Sequence, residues 1–267
     1  MPEGHTVHRL ARRHTKLLRG KAVRVSSPQG RFVDATLVDG QVFTGAEAWG
    51  KHLFHAYTNG LFVHVHLGIY GEFHERELGF VPKDTTRMRI ATELVLLDLI
   101  GPTRCEVLDD AGRQAIVDRL GPDPLRKDAD PERAWTKLRR RKGPIGAALM
   151  DQQVFAGVGN VFRAEALFVH GIHPETPIPQ VSREQFDALW ATLKAMLEVG
   201  VKEGRIMTVD ADEFGLRRRD LDRDNGRYVY RQEACLRCGT PVRRWDLAGR
   251  WSYACESCQP KPREISG

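Results

Sequence analysis

Two Cys-x-x-Cys pairs, Cys235-Leu236-Arg237-Cys238 and Cys255-Glu256-Ser257-Cys258, lie near the end of this 267-residue chain, separated by residues 239–254. Each pair offers two thiolates at the spacing that one tetrahedral zinc ion requires. The intervening residues are numerous enough to form a two-stranded hairpin that brings the chain back to the metal. Four thiolates close the coordination sphere, so the pattern predicts a structural zinc ion, one per chain, without an open catalytic position. Cys105 stands apart and has no role in the pattern. The chain is long enough to bury a core without covalent staples.

The opening MPEGHTVHRL contains no apolar leader, and no run of about eighteen apolar residues occurs anywhere. The expectation is a cytosolic chain that does not enter a membrane. Its formal charge of +6 fits a polyanionic partner. The basic residues cluster in Lys137-Leu138-Arg139-Arg140-Arg141-Lys142 and in Arg217-Arg218-Arg219, which solvated faces would also explain.

Composition shifts along the chain from strand-like, to helical, to cysteine-rich. Val7, Leu10, Ala11, Leu17 and Leu18 recur at helical spacing, and Gly20 is the expected stop. Thr58-Asn59-Gly60 separates two apolar-rich runs, 52–57 and 61–66, and predicts a hairpin with Asn59 and Gly60 both at positive φ. Further strands are expected around 88–91 and 94–99. Leu120-Gly121-Pro122-Asp123-Pro124 and the polar stretch after it read as a boundary. Short helices are expected at 145–150 and 160–170. Ser182-Arg183-Glu184-Gln185 is a capping box opening a long helix with a core stripe of Phe186, Leu189, Leu193, Met196 and Leu197. Residues 204–227 lose periodicity and gain charge, which predicts a mobile loop.

Four separated pieces occur in one order: Pro2-Glu3-Gly4, Gly50-Lys51-His52-Leu53, Gly157-Val158-Gly159-Asn160, and the cysteine module ending in Cys258-Gln259. Together they resemble the Fpg/Nei family of DNA glycosylases, over nearly the whole chain. The Pro-Glu-Gly opening is closer to the endonuclease VIII branch. Within it, Pro-Glu-Gly-His-Thr-Val-His-Arg is similar to a second endonuclease VIII-like subgroup of actinobacteria. The resemblance implies an α+β fold: an N-terminal β-sandwich with an N-terminal helix, a helix–two-turns–helix domain and a C-terminal zinc-finger β-hairpin. The expected boundaries are 1–122 for the catalytic β-sandwich, 123–132 for a linker, 133–228 for the helical DNA-binding domain and 229–262 for the zinc finger. The implied partner is DNA carrying oxidised bases or abasic sites, double-stranded and also single-stranded or bubble, bound by a monomer in a cleft between the lobes.

The resemblance also assigns roles. With Met1 removed by the cell, the Pro2 nitrogen is a terminal secondary amine, and such amines titrate near ~7.7–8.0 against ~10.4 for lysine. It is the implied nucleophile, forming a Schiff base with the sugar and leading to β,δ-elimination. Glu3 is the implied acid/base partner. Lys51 grips a phosphate and assists elimination. His66, Asn160 and Arg250 complete the implied phosphate clamp, and Ile69 and Tyr70 are wedge candidates that fill the space of the extruded base. Plainer readings stand beside these. Pro2-Glu3 can be an ordinary helix start, Lys51 a surface lysine, Asn160 only an N-cap, and Ile69 and Tyr70 ordinary strand residues.

Two family features are missing. Gly101-Pro102-Thr103-Arg104-Cys105 has no phenylalanine where the formamidopyrimidine-specific members carry an Arg-Arg-Phe-Gly wedge, and 204–227 lacks their glycine- and threonine-rich lesion-capping signature. Both absences point to oxidised pyrimidines. The competing function classes are a non-catalytic damaged-DNA-binding protein of the same fold and a zinc-finger interaction module.

Overall fold

Helix α1 (Gly4–Leu18) buries Val7, Ala11 and Leu18, with Leu10 and Leu17 packed beside them. Gly20 follows with φ +78°, and its N–H donates to the carbonyl of Phe43 at 2.9 Å. In the computed structural model, which describes residues 2–222 and 225–262, the chain divides into two units, Met1–Arg119 and Leu120–Gly267. Met1, whose removal the sequence reading expects, lies outside the described residues.

After α1 the first unit contributes β1 (Arg24–Ser26), β2 (Phe43–Trp49), β3 (His52–Tyr57), β4 (Phe62–His66), β5 (Glu72–Arg76), β6 (Thr86–Ala91), β7 (Leu96–Ile100) and β8 (Arg104–Leu108). They form two antiparallel four-stranded sheets, ordered β1-β6-β7-β5 and β2-β3-β4-β8. Period-2 alternation points one face of each sheet inward. Val25, Met88, Ile90, Leu97 and Leu99 from one sheet meet Leu53, Tyr57, Val63 and Val65 from the other in a single core with Val7 and Leu18. Each such burial stabilises the fold by about 1.5–3 kcal/mol before entropy is counted. Cys105 and Val107 of β8 also pack on that core, which accounts for the isolated cysteine. Helix α2 (Asp110–Arg119) covers the outer face of the second sheet, where Ile116 and Val117 sit on Phe54, Phe62 and Leu108.

The β3–β4 hairpin forms where Asn-Gly predicts it, with a different turn. Tyr57 N–H donates to Leu61 O at 3.1 Å, and only Gly60 takes positive φ, at +78°. The loop therefore holds three residues and ends in a left-handed glycine. The Asn59 amide braces it by donating to Leu37 O (2.8 Å) and accepting from Leu61 N–H (3.2 Å).

The second unit is helical and then turns to a hairpin. Leu120, Gly121, Pro122, Asp123 and Pro124 are buried within it. Helix α3 (Pro131–Arg139) opens on an Asp130 cap that accepts from Glu132 N–H. The Asp130-Pro131 signal for it stood in the sequence inside the stretch read as polar linker. Next come α4 (Ile145–Ala148), α5 (Asn160–Val169) and α6 (Arg183–Glu203). Helix α6 carries the expected capping box of Ser182 and Gln185, stops at Gly204 (φ +73°), and buries its whole apolar stripe. The strands β9 (Arg243–Asp246) and β10 (Trp251–Ala254) pair as an antiparallel hairpin.

Residues 204–227 are not a mobile loop where they are described. Met207 and Val209 are buried beside Leu221, and short 3-10 turns occupy Ala211–Phe214 and Arg218–Asp220. Residues 223 and 224 lie outside the described set. The segment is held by Glu165 of α5, a fully buried carboxylate. It accepts from the Thr208 hydroxyl (2.5 Å) and from the amides of Tyr228 (2.7 Å), Val229 (3.0 Å) and Tyr230 (2.8 Å).

Candidate active site and metal centre

Two contacts fix how α1 lies along β2. Near the helix end, Gly20 bonds Phe43. Inside it, Thr15 Oγ1 accepts from Ala46 N–H at 2.9 Å. The helix read backwards thus follows the strand read forwards. From that contact both segments extend roughly 16–18 Å before reaching Glu3 and Lys51 respectively. The start of α1 and the β2–β3 turn therefore lie toward one end of the first unit.

Pro2 is half-buried and precedes the helix rather than forming its first turn. Glu3 is the N-cap, in extended conformation, and its carbonyl accepts from Thr6 N–H at 3.0 Å. Its side chain is fully buried and makes no cap hydrogen bond to the helix. Lys51 is not a strand residue. It forms the two-residue turn between paired Trp49 and His52 with Gly50, whose φ is +58°.

Beyond that turn three histidines share the outer face of the second sheet. His52 and His66 are cross-strand partners, and His64 lies two residues before His66. Glu106 accepts from Nδ1 of His64 at 2.9 Å, and Nε2 of His64 lies 2.9 Å from Nδ1 of His52. A carboxylate only accepts, so neutral His64 presents its lone pair at Nε2 and His52 donates to it. Burial, helped by the charges of its neighbours, pushes His52 down to about 3 and holds His66 below its ordinary value. These rings border a cavity of about 610 Å³, also lined by Thr103, Arg104 and Arg119. His52 and His64 were not singled out from the sequence. The alternation Val63-His64-Val65-His66 was the available signal, since it puts both imidazoles on one face.

Ile69 and Tyr70 are turn residues, 54% and 85% exposed, and not the ordinary strand residues of the plainer reading. Their turn is tight: Gly71 N–H donates to Leu67 O at 2.9 Å, and a Cβ on Gly68 (φ +67°) would lie 1.9 Å from Thr103 Oγ1. The turn therefore packs directly on Gly101-Pro102-Thr103, the stretch without the wedge phenylalanine. Cys105, just beyond, has its thiol pushed up to about 12 by burial, which removes its nucleophilicity.

In the second unit Asn160 is the first residue of α5, and Gly159 is the cap. Its amide donates to the carbonyl of Trp251 at 2.9 Å, and its oxygen accepts a very short bond from Arg163. Arg163 also donates to Trp251 O (2.8 Å) and to Gly146 O (3.3 Å). Arg250 is exposed at the hairpin tip, in a loop closed by Leu247 N–H donating to Arg250 O at 2.8 Å. The two basic runs are partly engaged locally, Arg141 with Asp151 and Arg217 with Asp220, each at 2.8 Å.

Cys235, Cys238, Cys255 and Cys258 converge, with all four sulfurs within 4.8 Å of one another. Three of the sulfur–sulfur separations are 3.9, 3.5 and 3.6 Å. A tetrahedron with Zn–S bonds of ~2.3 Å has edges of about 3.8 Å, so the cluster fits one such ion.

Comparison with known proteins adds to this geometry. Residues 1–105 match the formamidopyrimidine-DNA glycosylase N-terminal domain, and residues 120–211 match the formamidopyrimidine-DNA glycosylase H2TH domain. Endonuclease 8 1 of Mycobacterium tuberculosis is 47% identical over 268 residues, covering 97% of this chain and 100% of that one. Probable endonuclease 8 2 of Streptomyces coelicolor is 32% identical, covering 98% and 96%. The subgroup expected from the opening residues thus gives way to greater similarity with the first endonuclease 8 of mycobacteria. The crystal structure of the Fpg protein of Thermus thermophilus superimposes with a TM-score of 0.79 at 28% identity, covering 98% of this chain and all of that one.

Proposed function

The chain belongs to the Fpg/Nei family as an endonuclease VIII-like DNA glycosylase/AP lyase, and from that premise we propose that it excises oxidised pyrimidines through a Schiff base on Pro2. The observation that carries the reading is the shared end of the first unit at which α1 begins and the Lys51 turn closes.

With Met1 removed, the Pro2 nitrogen attacks C1′ of the damaged nucleotide. The glycosidic bond breaks, and the base leaves with a proton supplied by Glu3. The attached amine gives up its proton and the C1′–O4′ bond opens with O4′ protonated, leaving a C1′ iminium that withdraws electrons and acidifies the C2′ proton. Loss of that proton expels the 3′ phosphate, and a second elimination expels the 5′ phosphate. The positive end of α1 disfavours an ammonium at Pro2 and so favours the nucleophilic amine. Lys51 neutralises phosphate charge beside the sugar. His66, Asn160 and Arg250 hold the flanking backbone, and Ile69 and Tyr70 enter the stack once the base is extruded. Zinc fills the four-cysteine cluster and fixes the hairpin that carries Arg250. Missing wedge and capping signatures support the preference for pyrimidines over 8-oxoguanine.

Borohydride trapping on abasic DNA tests the mechanism. A covalent adduct is expected for the wild type, with loss in Pro2→Gly and strongly reduced base release in Glu3→Gln. Strand scission that persists with a blocked Pro2 nitrogen would overturn it. Paired oligonucleotides carrying thymine glycol or 8-oxoguanine test the lesion preference, and faster cleavage of 8-oxoguanine would overturn that part.

A further inference from the structure

Of five tryptophans in the chain, Trp251 alone is exposed, at 50%. A large apolar ring in solvent is an unfavourable place for a side chain that packs well. This ring is also rigidly mounted. Its carbonyl accepts from Asn160 (2.9 Å) and from Arg163 (2.8 Å), residues only 7% and 1% exposed. Its strand pairs with β9, and Tyr253 two residues on is buried in the core beneath. The Arg244 guanidinium lies 4.0 Å from the Trp251 ring centre and covers one face. Half of the residue remains in solvent even so. A fixed, solvent-facing indole backed by a cation is a surface suited to the π-face of another planar ring.

We propose that Trp251, backed by Arg244, is a base-stacking platform for a nucleotide of the DNA strand that the hairpin holds, next to the nucleotide whose phosphate Arg250 contacts. The proposal rests on the phosphate role given to Arg250 above. Arg250 closes the loop and Trp251 opens β10, so their side chains leave the backbone in different directions. A phosphate on one and a base on the other therefore belong to different nucleotides. Charge complementarity identifies the occupant: Arg244 lies on the ring, Arg250 is exposed at the preceding position, and a nucleic-acid strand brings alternating anions and planar rings. Stacking has no sequence preference, so the platform adds affinity for any base and suits strands already unpaired.

The test is binding of the full, metal-loaded chain to an undamaged single-stranded oligonucleotide across a salt series. Stacking on an aromatic side chain is worth about five- to 150-fold in affinity. Trp251→Ala and Trp251→Leu should both lose affinity in that range at every salt concentration, leaving the slope of log affinity against log salt unchanged. Trp251→Phe should keep most of it. Arg250→Ala should instead flatten that slope by about 0.7. Wild-type affinity for Trp251→Ala, or full retention by Trp251→Leu, overturns the platform. An unchanged slope for Arg250→Ala overturns the phosphate role separately.

Discussion

Gly68 donates its backbone N–H to Nδ1 of His66 at 3.2 Å, and that bond decides which nitrogen of the ring can face a ligand. An amide only donates, so Nδ1 holds the lone pair and the proton of neutral His66 is on Nε2. Burial, followed by the charges of His64, Lys51 and Arg104, lowers the pKa of His66. His66 therefore carries a neutral N–H at Nε2, which is what it would offer to a phosphate in the proposed role. His66→Ala should weaken DNA binding about tenfold, the effect of losing one hydrogen bond to a charged group. The ratio of wild-type to variant affinity should be the same at pH 6 and pH 8. A ratio that grows toward pH 6 would show that the ring binds as a cation.

The buried pair His14 and His55, 2.9 Å apart between α1 and β3, makes the fold acid-sensitive. Burial pushes His14 down to about 3, and His55 also falls well below the usual value. Below about pH 6.5 the unfolded chain takes up protons that the folded chain refuses, so stability falls as pH falls. Each ring contributes a slope of about 1.4 kcal/mol per pH unit until its folded pKa is reached. Urea midpoints measured from pH 7 to pH 4.5 should drop steeply. They should drop less in His14→Gln, His55→Gln, and an equal drop would remove the pair as the cause.

Glu165 satisfies the Thr208 hydroxyl and three successive backbone amides. Glu165→Ala takes this acceptor from three backbone amides in a buried site, leaves the Thr208 hydroxyl only Gly226 O at 3.3 Å, and should cost about 3–5 kcal/mol. Glu165→Gln keeps one carbonyl oxygen and should cost less. Chemical denaturation of both variants checks the order, and a fully stable alanine variant would contradict it.

Removal of the metal should release one zinc ion per chain, read by a colorimetric indicator, and should disorder the hairpin that carries Arg250. DNA affinity should fall with it. Unchanged affinity after complete release would separate the hairpin from binding.

Local signals in the sequence located what local forces build. The capping box at Ser182, the turn at Asn59-Gly60 and the two cysteine pairs each depend on residues close in the chain, and each is where it was expected. Helix α3 was obscured because its Asp130-Pro131 start lies in a charged stretch with only Ala134 and Leu138 buried. The order in 204–222 was invisible for a different reason. Met207, Val209 and Leu221 have no period, and the acceptor that organises their surroundings is on α5, far away in sequence. The histidine chain to Glu106 similarly needs β4 to pair with β8, a register no single window contains.

Helix α5 seats the hairpin through Asn160 and Arg163, receives the 228–230 backbone on Glu165, and stacks Phe168 on Tyr228 with ring centres 4.8 Å apart. The cysteine module is accordingly not interchangeable by itself. A chimera that imported only residues 235–258 from a relative would set a foreign strand on a helix shaped for another, so transplanting the module intact means moving α5 along with it.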